Sequence, residues 1–290
     1  MGLLSGINLF GLGDLENADL YEEKQKEEAS EKSRPVVVKE EIREEDLLFD
    51  KTYTCPICDG EFKTRTVRAS KAHFIGTDLD LRPRYEGIDM LKYDTVVCPI
   101  CGYAALSRYF KYMTGAQSKL IQAGICMNFR GRQQDGAVYT YEQALERYKI
   151  VLANAIVKHA KASEKAYICL KSAWILRGMG EAVDMQEQGA LFKKASLEKQ
   201  EKEYLANALD GFLAARQTES FPMCGMDVYT VEYLIAVLAM EMGKYDISMK
   251  GLSFLLGSKQ VNSRTKDKAR DVKEILMKKI KEATEEATDE

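Results

Sequence analysis

The spacing of hydrophobic and polar positions changes period partway along the chain. From Phe62 to Arg68 bulky and polar residues alternate, and this predicts a strand. Tyr93-Asp94-Thr95-Val96-Val97 predicts a second strand. Between them, Thr77 to Gly87 is polar and carries charges of both signs, which predicts a long loop. After Cys101 the pattern turns helical. Tyr103 to Met113 is aromatic and apolar with Arg108 and Lys111 interspersed, and Gln117 to Phe129 is amphipathic. Arg130 to Gly136 is a polar break with two glycines.

From Tyr139 onward the helical pattern repeats weakly. Tyr141, Ala144 and Tyr148 resemble the second helix of a tetratricopeptide (TPR) unit, and Tyr167, Leu170, Trp174 and Gly178 resemble the first. Ala208, Phe212 and Ala215 resemble a second helix again, closed by Pro222. Ala236, Ala239, Gly243, Tyr245, Leu252 and Leu255 complete a degenerate unit. Small residues let paired helices approach while aromatics fill the gaps between layers. Lys171 departs from the pattern, standing where such repeats carry a small residue, and Glu181 to Gln217 is too long for one unit. An antiparallel array of helical hairpins is therefore the expected architecture rather than a strict repeat count.

The ends differ from the middle. Residues 1–13 are apolar and punctuated by glycine, and an acidic stretch follows to residue 50. This has the plan of a docking tip on a flexible tether, although the tip packing back on the body remains an alternative. Val36-Val37-Val38 is a β-prone run that could add a strand. Residues 281–290 form an acidic tail expected to fray. The expected organisation is a flexible segment (1–50), a small β module (51–112), a helical domain (113–280) and the tail. The fold class is α+β, mainly α.

Composition excludes little. The net charge of −3 gives no global basic signal for nucleic acid. No apolar run reaches the roughly 18 residues of a membrane span. With no signal peptide at the start, the chain reads as cytoplasmic.

Chemistry enters with the cysteines. Four of the seven form two matching pairs, Cys55-Pro56-Ile57-Cys58 and Cys98-Pro99-Ile100-Cys101. Each is a tight turn that points two sulfurs the same way, and together they offer four thiolates to one ion. Gly102 fills the left-handed position after the second pair, and Asp59 stands at the equivalent place after the first. Four thiolates leave no open position, so Cys55, Cys58, Cys98 and Cys101 read as ligands of a structural zinc. Iron remains an alternative because thiolates suit it too. A redox dithiol would need only one pair, and disulfides would suit a different compartment. His73 lies between the pairs as a spare donor, and His159 reads as a surface residue on a helix. Cys126 and Cys169 read as buried apolar residues and Cys224 as part of a turn. In the polar loop Asp78, Asp80, Arg82, Arg84 and Tyr85 are candidates for a binding surface, with a loop tied by its own salt bridges as the alternative.

The motifs Thr54-Cys55-Pro56-Ile57-Cys58, Asp78-Leu79-Asp80-Leu81-Arg82-Pro83-Arg84-Tyr85 and Tyr93 to Ala104 together resemble a bacterial family known only as a domain of unknown function. That resemblance implies a zinc-ribbon-like module followed by TPR-like helices, and implies no catalytic activity. The reading that follows is an interaction protein with a protein or peptide partner. A nucleic-acid binder is the alternative, since residues 51–111 hold a small basic excess beside Phe62, Phe74 and Tyr85. A metal-dependent enzyme is a second alternative that no P-loop, nucleophile elbow or dinucleotide fingerprint supports. On this plan, Cys55→Ser or Cys98→Ser would unfold the β module and leave the helices largely intact.

Overall fold

The computed structural model describes residues 43–131 and 136–288. The apolar tip, most of the acidic stretch and the Val36–Val38 run lie outside them. Three antiparallel strand pairs come first. β1 (Leu48–Thr54) pairs with β2 (Glu61–Val67), with Tyr53 opposite Phe62 and Leu48 opposite Val67. β3 (Phe74–Thr77) pairs with β4 (Pro83–Tyr85), and β5 (Thr95–Val97) with β6 (Ala104–Leu106). Seven α-helices follow among the described residues: α1 (Gly115–Ile121), α2 (Tyr141–Val157), α3 (Ala162–Glu181), α4 (Ala190–Thr218), α5 (Val228–Glu241), α6 (Tyr245–Gly257) and α7 (Ser263–Thr288). The fold is α+β and mainly helical.

Local chemistry sets the helix starts. Thr114 and Thr140 each close a capping box, with Gln117 and Gln143 returning the bond. Asp227 accepts from the Thr230 amide and starts α5. The long helical span expected from Glu181 to Gln217 breaks after Glu181, and Gly189, at φ 85°, leads into α4. Neighbouring helices joined by short loops pack on one another, α3 on α4 and α6 on α5 and α7. Helix α5 is buried all round from Val231 to Met240, as a helix without a polar face must be.

Two sequence expectations give way. Tyr103 to Met113 is not a helix but the strand β6 followed by turns. Tyr103 and Phe110 are both fully buried, and the Tyr103 hydroxyl donates to the Phe110 carbonyl at 3.0 Å, closing a loop over a core. The expected long loop from Thr77 to Gly87 is largely a hairpin, because β3 and β4 pair across it.

The hydrophobic interior does not divide at the end of the β segment. The largest cluster joins Leu91, Val97, Ala104 and Leu106 to Tyr148, Trp174 and Phe212 of the helices. A second cluster surrounds the cysteines: Tyr53, Phe62, Tyr103 and Phe110, with Phe110 set edge-on to Tyr53 at 5.5 Å and to Phe62 at 5.9 Å.

Candidate metal centre

Each cysteine pair sits at the turn of a hairpin, the first between β1 and β2 and the second between β5 and β6. The backbone closes both turns in the same way. The Cys55 amide donates to the Gly60 carbonyl at 3.0 Å and the Asp59 amide to the Cys55 carbonyl at 2.9 Å. In the second turn Cys98 donates to Tyr103 at 2.8 Å and Gly102 to Cys98 at 3.1 Å. Asp59 and Gly102 both take positive φ, 55° and 77°. Asp59 therefore accepts the strained conformation that glycine holds freely in its twin. Glycine is needed at 102 for a second reason: a Cβ there would lie 2.5 Å from the Phe129 ring.

The two turns bring all four sulfurs within 4.8 Å of one another. Cys55 Sγ lies 3.6 Å from Cys101 Sγ, and Cys58 Sγ 3.7 Å from Cys98 Sγ. A tetrahedral zinc with bonds of about 2.3 Å has sulfur–sulfur edges of about 3.8 Å, close to these two separations. A disulfide, at about 2.05 Å, does not describe these separations, and all four cysteines are free. The Ile57 amide donates to Cys55 Sγ at 3.5 Å. Cys55 and Cys98 are fully buried, Cys101 is nearly so, and Cys58 is partly exposed.

Hydrogen bonds between the sulfurs couple the thiols to one another. The Cys98 thiolate accepts from the Cys101 and Cys55 thiols, which outweigh its burial and hold its pKa down to about 2. Cys101 is driven far above the ordinary thiol value by its bonds to Cys55 and Cys98 and by burial. The bond to Cys101 pulls Cys55 down, but its bond to Cys98 and burial outweigh that and push it up to about 12. A cation would stabilise the four thiolates together.

His73 is not among these donors. It stands exposed with Nδ1 3.4 Å from Glu86 Oε2. Asn154, which the sequence reading missed, supports the site from α2. Its side-chain amide donates to the Gly102 carbonyl at 3.1 Å and to Ile150 at 2.9 Å, and it is fully buried. The available signal was a polar residue between Val151 and Ala155 on a buried stripe. Cys126 differs from expectation as well. It is only partly buried, and it packs against the cysteine cluster.

The charged hairpin commits most of its charges to the helices. Arg82 is 2% exposed and donates to both Glu181 oxygens at 3.1 and 3.2 Å and to Asp89 at 3.0 Å. Arg84 clamps Glu181 with two bonds of 2.7 Å and reaches Asp78 at 2.8 Å. Asp80 is buried and accepts from Trp174 Nε1 at 2.8 Å and from Arg177 at 3.1 and 2.8 Å. Tyr233 of α5 donates to the Leu79 carbonyl at 3.0 Å. These are ties between the hairpin and the helices. They also explain Gly178, where a Cβ would lie 2.5 Å from Tyr141 and 2.8 Å from the Arg82 guanidinium.

Lys171, the residue that broke the repeat pattern, is buried and pairs with Asp94, whose other oxygen accepts from Ser107 at 2.6 Å. Burial works against its charge, but Asp94 and Tyr167 outweigh it and raise its pKa. Among the described residues no helix is long and apolar enough to cross a membrane.

A family model described as an uncharacterized protein conserved in bacteria (DUF2225) matches residues 48–276, in agreement with the resemblance carried by the cysteine and Asp-Leu-Asp-Leu motifs. No curated protein and no solved structure matches the chain.

Proposed function

We propose, for a chain that belongs to this bacterial family, a role as an interaction protein whose two cysteine hairpins are locked by a structural zinc. The observation that carries the metal part is the sulfur set itself. Four thiols from two matching turns lie within 4.8 Å of one another, enough to fill a four-coordinate site. Zinc would be held by Cys55, Cys58, Cys98 and Cys101, and its chemistry there is to fix the hairpins against α2.

For the interaction part, the packed helices, read as TPR-like hairpins, are the proposed frame. Leu191 and Phe192 at the start of α4 are 74% and 83% exposed, large apolar groups that the fold leaves uncovered. Beside α6 and α7 lies a groove of about 670 Å³ lined by Leu256, Met277, Arg270, Lys273, Lys278 and Glu274. Two apolar side chains among three cations and one carboxylate suit an acidic amphipathic peptide.

Two measurements test this reading. Elemental analysis of protein purified under reducing conditions is expected to give one zinc per chain; iron or no metal defeats the metal assignment. A photo-crosslinking residue placed at Met277 is expected to trap an adduct that Lys273→Glu abolishes. Equal trapping from a probe at Tyr112, which is 75% exposed and outside the groove, defeats the surface.

A further inference from the structure

A cavity of about 460 Å³ lies where the β1–β2 pair, β4, β5 and α3 meet, a size that suits a small molecule. Strand alternation prepares one wall. Lys51 and Tyr53 stand two residues apart on β1, and Thr64 is the cross-strand partner of Lys51, so all three share a face of the pair. The Lys51 ammonium sits over the Tyr53 ring, 5.0 Å from its centroid. Tyr85 of β4 and Tyr93, ahead of β5, add aromatic surface. Arg108, just past β6, and Lys171 of α3 bring two more cations, and Asp94 is the one carboxylate of the lining.

Charge is out of balance there. Lys171 is buried and matched by Asp94. Lys51 and Arg108 are exposed, and among the described residues neither has a carboxylate partner. Arg108 is nonetheless held in place, because it donates to the Cys224 carbonyl at 2.7 Å, and its other guanidinium donors are left over. Two unmatched cations beside tyrosine rings suit a ligand with two negative charges and a flat body. A phosphate monoester carries close to two charges at neutral pH, and its oxygens accept forked bonds from a guanidinium. Tyrosine rings pack well against a planar ring.

We propose that this cavity binds a small phosphate monoester carrying a planar ring, with Lys51 and Arg108 holding the phosphate and Tyr53 and Tyr85 lining the ring. Nucleoside monophosphates and aryl phosphates are the two sources of that chemistry. The site shares no residue with the four-cysteine set or with the groove beside α6 and α7, so it depends on neither of those readings.

The test titrates the full-length protein with the ribonucleoside monophosphates and with phenyl phosphate, read by calorimetry, with adenosine and inorganic phosphate as controls. At least one ring-bearing phosphate is expected to saturate a single site more tightly than either control, and the nucleotide and phenyl arms tell the two sources apart. Lys51→Glu, an exposed change, is expected to weaken that ligand at least about tenfold, and Arg108→Gln to weaken it independently. Lys63→Glu alters an exposed lysine on the opposite face of the same strand pair and is expected to bind as wild type. No saturable binding at millimolar concentration overturns the proposal. So does equal weakening by Lys51→Glu and Lys63→Glu, or an affinity for inorganic phosphate or adenosine that equals the ring-bearing phosphates.

Discussion

At the scale of single residues, the decisive ones are polar groups in apolar settings. Asn154 sits on the buried stripe of α2 yet holds the Gly102 carbonyl, and so couples a helix to a cysteine turn. Replacing it with alanine takes a donor from a buried carbonyl, at a cost of about 1–3 kcal/mol. Asn154→Ala should lower the denaturant midpoint accordingly with little change in slope. Arg147 shows why such residues are hard to read. In sequence it belongs to the polar face of Tyr141 to Tyr148, but it is buried, stacked on Tyr139, and donates to Thr95 and Thr64. Nothing local distinguishes it from a solvated arginine, because its partners lie on strands far away in the chain.

At the scale of elements, the β3–β4 hairpin is joined to α3 through ion pairs with Arg177 and Glu181. Burial disfavours the charge on Glu181, but the bonds from Arg84 and the charge of Arg82 outweigh it and hold its pKa below the ordinary 4.5. A carboxylate depressed in the folded state contributes stability above its unfolded pKa, and that contribution is lost as pH falls through the folded value. Thermal stability should therefore fall as pH drops below about 4.5, and Glu181→Gln should flatten that part of the profile. An unchanged acid limb in the variant would show that other carboxylates dominate. Trp174 is the reporter for this joint, being the only tryptophan of the chain and bonded to Asp80.

At the scale of the whole molecule, the cysteine hairpins and the helices share an interior. Val97, Ala104 and Leu106 flank the second cysteine turn and belong to the same cluster as Trp174 and Phe212. The proposed structural zinc would contribute on the order of 10 kcal/mol to folding. Because the core is common, chelation or Cys98→Ser should lower one joint transition, with Trp174 fluorescence and far-ultraviolet circular dichroism moving together. Two separated transitions, helices surviving the strands, would instead match the modular behaviour that the sequence suggests.

The cysteine spacing, the β-then-α order and the helical tracts were legible in the chain because each depends on neighbours a few residues apart. Turn chemistry at Cys55–Gly60 and Cys98–Gly102, caps at Thr140 and Asp227, and the apolar run of α5 are local and carry their own signals. The role of the Asp78–Tyr85 motif was not legible. A charged stretch reads as solvated unless its partners are known, and here they are Trp174, Arg177 and Glu181 on a distant helix. The same holds for Lys171 with Asp94, for Asn154 with Gly102, and for Cys126 against the cysteine cluster. Local sequence determined which turns and helices form. Only the tertiary structure decided which buried charges and thiols meet, because those pairings are set by packing between segments far apart in the chain.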